Sequence, residues 1–452
     1  MTTQSAATTT GPRNQSRRAA IASFVGTTIE WYDFFIYGTA AALVFGPLFF
    51  AESTPFIATL SAFGTFAVGF LARPVGGLIF GHFGDRFGRK RALVVTLVMM
   101  GLATTGIGLL PTYASIGFWA PTLLVVLRLI QGIAVGGEWG GAVLLAAEHA
   151  PKGRSVFYAS FAQLGSPAGQ ILSLLAFRLA SLLDKQAFLD WGWRLPFLVS
   201  AVLLLVGLAI RLGVEESPDF ERSQREVGAA QAPIREVLRT SLTPLMLAAG
   251  ANTMGIASVY LFNTFMIAYT TQYLGIERAT ILDALLVGAF VQLVMTPVGA
   301  RIAEAIRNER LFLQIALIWA MLAPYPLFLL VDTRAVWAII LGLCINIIGV
   351  ATFYAVIAGY VANAFPTRVR YTAISIAYQF CGAIAGGLTP VIGTILAEQF
   401  RGHWWPIAAF ATTLAVISFV CVTLLAGHQR RAAALAVAAE TRQARAFPRP
   451  TR

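Results

Sequence analysis

The chain has 452 residues, of which 57% are apolar and 12% charged, with a mean hydropathy of +0.73. A soluble protein carries about 25% charged residues, so a soluble enzyme, a disordered chain and a disulfide-stapled fold are all excluded. The net charge of +12 makes nucleic acid a candidate partner only if the basic residues form a surface of their own.

Apolar runs recur along the whole sequence, each near the roughly 20 residues a helix needs to cross a hydrocarbon core. Twelve spans are predicted, at 20–48, 56–81, 92–110, 121–147, 155–182, 194–213, 242–272, 280–300, 310–330, 335–363, 371–398 and 403–426. A membrane barrel would alternate apolar and polar residues along each strand, and runs such as Leu198–Ile210 do not. The polar tail 1–19 precedes a first span that contains Glu30 and Asp33 and ends in no small-residue cleavage site, so it is not read as a signal peptide. The longest polar stretch, 214–241, has six spans on either side. It therefore divides the chain into a bundle at 20–213, a linker, a second bundle at 242–426 and a tail at 427–452. That Ala-rich tail carries six arginines and is expected to be disordered and to face lipid.

Lys and Arg residues are divided unequally between the loops. One side, which includes both tails and the linker, holds 25 of the 33, and the other side holds five. The positive-inside rule then places both termini in the cytoplasm. The basic residues flank a bilayer in short loops without aromatic interleaving, so nucleic acid is not the partner. Cys344, Cys381 and Cys421 all fall inside spans, with no metal-ligand spacing, and are read as packing residues. Gly132/Gly136/Gly140, Gly165/Gly169 and Gly382/Gly386 recur at four-residue spacing, the pattern of closely packed helices.

An ionisable residue in mid-bilayer is expensive and is by default a functional candidate. At about 1.5 Å of rise per residue, Glu30 lies about 15 Å from the cytoplasmic end of its span, Asp33 and Arg128 about 20 Å, Glu138 about 14 Å and Arg73 about 12 Å. Such charges either neutralise one another or do work. For Arg73 and Glu138 both readings stand; for Glu30, Asp33 and Arg128 function is the better one, because a buried pair is weak evidence for stability. Glu30, Asp33 and Glu138 are the candidates for proton coupling, since no histidine falls in mid-membrane. Arg128, Arg73, Tyr37, Asn263, Tyr260 and Gln379 are the candidates for binding substrate. The second half offers neutral polar residues where the first offers charges.

The segment Gly81-His-Phe-Gly-Asp85-Arg86-Phe-Gly88-Arg89-Lys90 resembles the signature loop of the major facilitator superfamily, and Arg128-Leu-Ile-Gln131-Gly132 resembles that family's second motif. A narrower resemblance is to its metabolite:proton symporters, the group of shikimate, 2-oxoglutarate and proline/betaine carriers. It rests on Glu30-Trp-Tyr-Asp33-Phe, Ala72-Arg73-Pro74-Val-Gly-Gly77, Gly136-Gly-Glu138-Trp-Gly-Gly141, Trp191-Gly-Trp193-Arg194-Leu-Pro196-Phe197 and Phe365-Pro-Thr-Arg368-Val-Arg370-Tyr371. The first half looks most similar to the shikimate carriers. In the second, the loop Gly299–Arg307 has lost the Asp-Arg-x-Gly-Arg form.

The resemblance implies an all-helical membrane fold of twelve spans in two six-helix bundles that expose a central site alternately to either side. It implies a secondary transporter in the cell inner membrane, working as a monomer and without a cofactor, that imports a small organic acid with a proton. An osmolyte symporter is the alternative, and a non-transporting sensor a more distant one. Asp33 and Arg128 are expected to pair when the site is empty or deprotonated. A cytoplasmic gate is expected from the signature loop, with Asp85 at the start of span 11 and Arg89 paired to Glu148.

Overall fold

Runs of this length and apolarity become helices because no water in a bilayer can serve the backbone, so each segment must satisfy its own N–H and C=O groups. The computed structural model describes residues 12–87, 89–136, 155–213, 241–365 and 370–446. In chain order the helices are α1 (Ile21–Phe49), α2 (Pro55–Phe80), α3 (Lys90–Leu109), α4 (Trp119–Gly136), α5 (Ser155–Ala180), α6 (Arg194–Leu212), α7 (Leu242–Tyr273), α8 (Arg278–Ile306), α9 (Glu309–Asp332), α10 (Val336–Ala362), α11 (Thr372–Gln399) and α12 (Trp405–His428). Among the described residues eleven of these, all but α5, meet the length and apolarity needed to cross a membrane, and α5 is a twelfth long helix of 26 residues.

The pairing of helices repeats. In the first half α1 packs on α5, α2 on α4 and α3 on α6; in the second α7 packs on α11, α8 on α10 and α9 on α12. The halves meet where α2 lies against α11 and α5 against α8. The termini-bearing end of the bundle is called here the near face, and the opposite end the far face.

Small residues set how closely these pairs approach. A Cβ on Gly132 or Gly136 would land on the carbonyl oxygen of Gly69 or Arg73, so α2 and α4 touch backbone to backbone. Gly165 and Gly169 do the same for α5 against Thr27 and Thr28 of α1. The Trp193-Arg194 motif ties the far-face ends together. Trp193 is fully buried against Phe45, Phe49 and Phe197, while Arg194 donates to the Gly108 and Leu110 carbonyls at 2.8 and 2.6 Å. A cation there serves carbonyls that a helix end leaves without partners.

Several segments differ from expectation. The segment Gly299–Ile306, read as a loop, continues α8; the chain stops only at Arg307, whose φ of 54° is left-handed, and Asn308 caps α9 by accepting from the Leu311 N–H at 3.1 Å. The signature loop is also helical, because the run begun by α2 extends to Phe87 and the next starts at Arg89. The helix of α12 continues to Ala446, where disorder was expected. Alanine is the best helix former, and extending a formed helix avoids the cost of nucleation. Before α1, the helix begins at Pro12. Arg211, in the last turn of α6, is buried and donates to the Leu93 carbonyl.

Wide π-type turns interrupt the regular winding of α1 at Ala41–Phe45, α7 at Leu261–Phe265 and Tyr269–Tyr273, and α11 at Gly382–Gly386. Such turns concentrate at functional sites, and these lie on helices that approach the centre.

Candidate functional site

The centre of the bundle is built of aromatic rings and guanidinium groups. Phe34 from α1, Phe66 and Phe70 from α2 and Tyr260 from α7 meet with ring centroids 4.9–6.0 Å apart. Tyr260 thus brings the second half onto the cluster of the first. Arg73 lies 4.2 Å from the Phe34 ring and 4.4 Å from Phe70. Arg128 lies 4.0 Å from Tyr37, 4.4 Å from Phe34 and 5.0 Å from Phe66. The π faces offset part of the cost of burying cations, and the two residues are 5% and 1% exposed.

Hydrogen bonding leaves these cations incomplete. Arg128 donates from Nη1 to Gln131 Oε1 at 3.1 Å, while its Nε and Nη2, and Nε of Arg73, are buried without a hydrogen-bond partner among the described residues. Unsatisfied buried donors are rare and call for a reason. Planar guanidinium edges are suited to carboxylate oxygens.

Asp33 sits in a different setting. Its Oδ1 accepts from Ser200 of α6 at 2.5 Å and its Oδ2 from Thr104 of α3 at 3.0 Å. Gln131 Nε2 in turn donates to Thr104 Oγ1 at 2.7 Å. Asp33 and Arg128, expected to pair directly, are thus joined through two neutral side chains. Glu30 is 5% exposed and lies one turn from Asp33. Tyr37 donates to Thr65 Oγ1 at 2.6 Å. The chemistry available is anion capture beside an acid whose charge is held by hydroxyl groups.

The neutral candidates of the second half cross between the halves. Asn263 lies in the first wide turn of α7 and accepts from Gln170 Nε2 of α5 at 2.6 Å, while its own buried Nδ2 has no partner among the described residues. Gln379 donates to the Gly136 carbonyl of α4 at 3.3 Å, and its Oε1 has no partner among the described residues. Glu138, Glu148 and Gly88 lie outside the described residues. Gly81, Asp85 and Arg86 fall on the helical run to Phe87, with Arg89 and Lys90 opening the next; Lys90 reaches the Leu212 carbonyl at 2.9 Å.

Sequence reasoning missed Thr104, Ser200 and Gln170, and saw Gln131 only inside a motif. Its position three residues after Arg128, on the same helix face, was the available signal. It also missed how the far face closes. Arg178 Nε of α5 donates to Asp283 Oδ1 of α8 at 2.7 Å, Thr59 of α2 donates to Gln272 Oε1 of α7 at 3.1 Å, and Arg278 donates to the Leu183 carbonyl at 2.9 Å. A cleft of about 450 Å³ between Phe49, Glu52, Tyr113 and Pro121 opens on the far-face rim, away from this centre.

Two six-helix units with the same internal pairing, closed over buried charge at their junction, are the architecture of a membrane transporter. The chain belongs to the major facilitator superfamily, whose family model matches residues 23–390 and 245–450, and within it to the metabolite:proton symporter family, whose members are transporters and not enzymes. It is 40% identical over 423 residues to the shikimate transporter of Escherichia coli (strain K12), covering 92% of this chain and 96% of that one. It is 33% identical over 419 residues to the glycine betaine/proline/ectoine/pipecolic acid transporter OusA of Dickeya dadantii (strain 3937), covering 89% and 82%. The crystal structure of a D-xylose-proton symporter superposes with a TM-score of 0.73 at 16% identity, covering 90% of this chain and 97% of that one, which is agreement in fold.

Proposed function

We propose that this protein imports a small organic acid of the shikimate or dicarboxylate kind together with a proton. The observation that carries the reading is the pair of buried guanidiniums in which Nε and Nη2 of Arg128 and Nε of Arg73 have no hydrogen-bond partner among the described residues. A carboxylate supplies the missing acceptors and the missing charge in one group. Arg128 and Arg73 bind that carboxylate, and Tyr37, Tyr260, Asn263 and Gln379 shape the space around it. Asp33, with Glu30 and Glu138, carries the proton.

The far face corresponds to the outside, with both termini in the cytoplasm and the protein in the inner membrane. A single chain suffices, because the site lies between its own halves. The bundles at 20–213 and 242–426 rock about this site, joined by the linker at 214–241. The osmolyte alternative fits less well. The faces of Phe34, Phe66, Phe70 and Tyr37 already carry guanidiniums, so a quaternary ammonium would find those rings taken and two like charges facing it.

Uptake into proteoliposomes under an imposed pH gradient, compared for shikimate, 2-oxoglutarate, citrate and glycine betaine, tests the reading. Accumulation of an organic acid driven by external acid is expected, and in Asp33→Asn that drive is lost while exchange persists. Accumulation of glycine betaine alone, or of an acid with no response to the gradient, overturns it.

A further inference from the structure

Two neutral side chains stand between Asp33 and Arg128, and their bonding has a direction. Thr104 of α3 is 0% exposed and Gln131 of α4 is 1% exposed. The Thr104 hydroxyl has one proton and two acceptors in reach, Asp33 Oδ2 at 3.0 Å and the Met100 carbonyl at 2.8 Å. Its oxygen accepts from Gln131 Nε2 at 2.7 Å, which turns the amide so that Oε1 receives Arg128 Nη1 at 3.1 Å. Ser200 holds the other oxygen of Asp33 at 2.5 Å.

We infer that Thr104 and Gln131 are positioning residues that pass the charge state of Asp33 to Arg128, an inference that rests on the proton coupling proposed for Asp33. While Asp33 is ionised, Oδ2 draws the Thr104 proton. A hydroxyl that donates to an anion becomes a better acceptor, so the bond from Gln131 tightens and its Oε1 holds Arg128 more firmly, each bond polarising the next. When Oδ2 takes a proton from water it becomes a donor to Thr104 Oγ1, and the Thr104 hydroxyl turns to the Met100 carbonyl. The hold on Gln131 and Arg128 slackens as the negative charge disappears. The guanidinium is then free to close on a substrate carboxylate with Nε and Nη2, the two nitrogens without a partner among the described residues. Ser200 keeps Oδ1 in place throughout, so Oδ2 is the oxygen that titrates.

Other charged and titratable groups lie on the elements packed around Asp33. They are Glu30, Tyr32 and Tyr37 on α1, Arg73 on α2, and Arg211 on α6. Lys90 and Arg91 lie at the near-face end of α3, with Arg178 and Arg194 at the far-face ends of α5 and α6. These set the field at Asp33; the line through Thr104 and Gln131 sets how its charge is felt at Arg128.

The test uses the full chain in proteoliposomes with labelled shikimate as probe, measuring apparent KM against external pH and, separately, counterflow at equal pH. In the unaltered protein, KM rises by up to about tenfold per pH unit above the Asp33 titration, the limit for one coupled proton. Thr104→Val, equal in shape but without the hydroxyl, flattens this dependence to less than about twofold per unit while counterflow persists, a loss of most of the linkage between proton and substrate. Gln131→Met flattens it in the same way, and Thr104→Ser restores the slope. A Thr104→Val protein that keeps the full slope overturns the inference, as does one that loses counterflow along with the slope, or a Thr104→Ser protein that behaves like Val. If the unaltered protein takes up shikimate with no pH dependence, the proton-coupled reading falls first and this inference with it; a normal slope in both proteins removes the inference alone.

Discussion

At Arg128 the fork of donors matters more than the charge. Its guanidinium is stacked against Tyr37 and Phe34 and bonded to Gln131 at one nitrogen, which leaves Nε and Nη2 as a planar pair of donors. A lysine would keep the charge and lose both the stacking plane and the paired donors. Arg128→Lys is therefore expected to raise the KM for an organic acid roughly 10- to 100-fold, the equivalent of one charge-assisted hydrogen bond of about 1.5–3 kcal/mol; full transport at unchanged KM would show that the edge is not used. The charged members of this site were legible in the sequence because charge in a span is costly and therefore rare. Thr104, Ser200 and Gln170 were not, because hydroxyls and amides in spans usually serve as links between helices. Only the fold shows that three such residues converge on Asp33 and Asn263. Depth along two helices likewise cannot reveal the neutral side chains, Thr104 and Gln131, that link Asp33 to Arg128.

Helices of this length were legible from apolar runs, and their turns from the polar residues between them. Of the boundaries that differed, the one at Ile306 lies where neither glycine nor proline stops the chain, whereas the helix of α12 runs through Gly427 and ends at Ala446, two residues before Pro448. The wide turns in α1, α7 and α11 carry no pattern, because an i→i+5 bond depends on what packs beside it. Glycine spacing was more informative, and it yields a contrast. Gly132 faces the Gly69 carbonyl and has Ala72 Cβ 2.9 Å from where its own Cβ would stand, whereas nothing lies within 4 Å of a Cβ at Gly64. Gly132→Ala must push α4 away from α2 and is expected to cost about 1–3 kcal/mol. Gly64→Ala meets no obstacle and gains helix propensity of up to about 1 kcal/mol. Thermal unfolding in detergent should lower Tm for the first and hold or raise it for the second; equal effects would mean that backbone contact does not set the α2–α4 distance.

Across the whole molecule, the far face is held shut by bonds that join the two halves. Arg178 and Asp283 lie 105 residues apart in sequence, and each alone reads as a charge at a span end that needs only water. Folding turns them into a clasp between α5 and α8, set beside the Thr59–Gln272 and Arg278–Leu183 bonds. A carrier that opens to this side must break all three, so each contributes to the balance between closed and open forms. The side chains of Arg178 and Asp283 are 29% and 47% exposed, and an exposed pair is worth about 0–1 kcal/mol. That is a small stabilisation, yet up to roughly fivefold in a two-state population. Asp283→Asn is therefore expected to enlarge the far-face-open population by up to about fivefold, and high salt should act in the same direction by screening the pair. Spin labels at Leu182 and Trp337, exposed far-face positions on the two halves, would report this in a background without Cys344, Cys381 and Cys421 as a larger long-distance fraction. Exchanging the two charges, Arg178→Asp with Asp283→Arg, should return the distribution towards the original. An unchanged distribution in Asp283→Asn would place the closing energy in the neutral bonds and the aromatic centre, where Tyr260 enters the cluster of the first half.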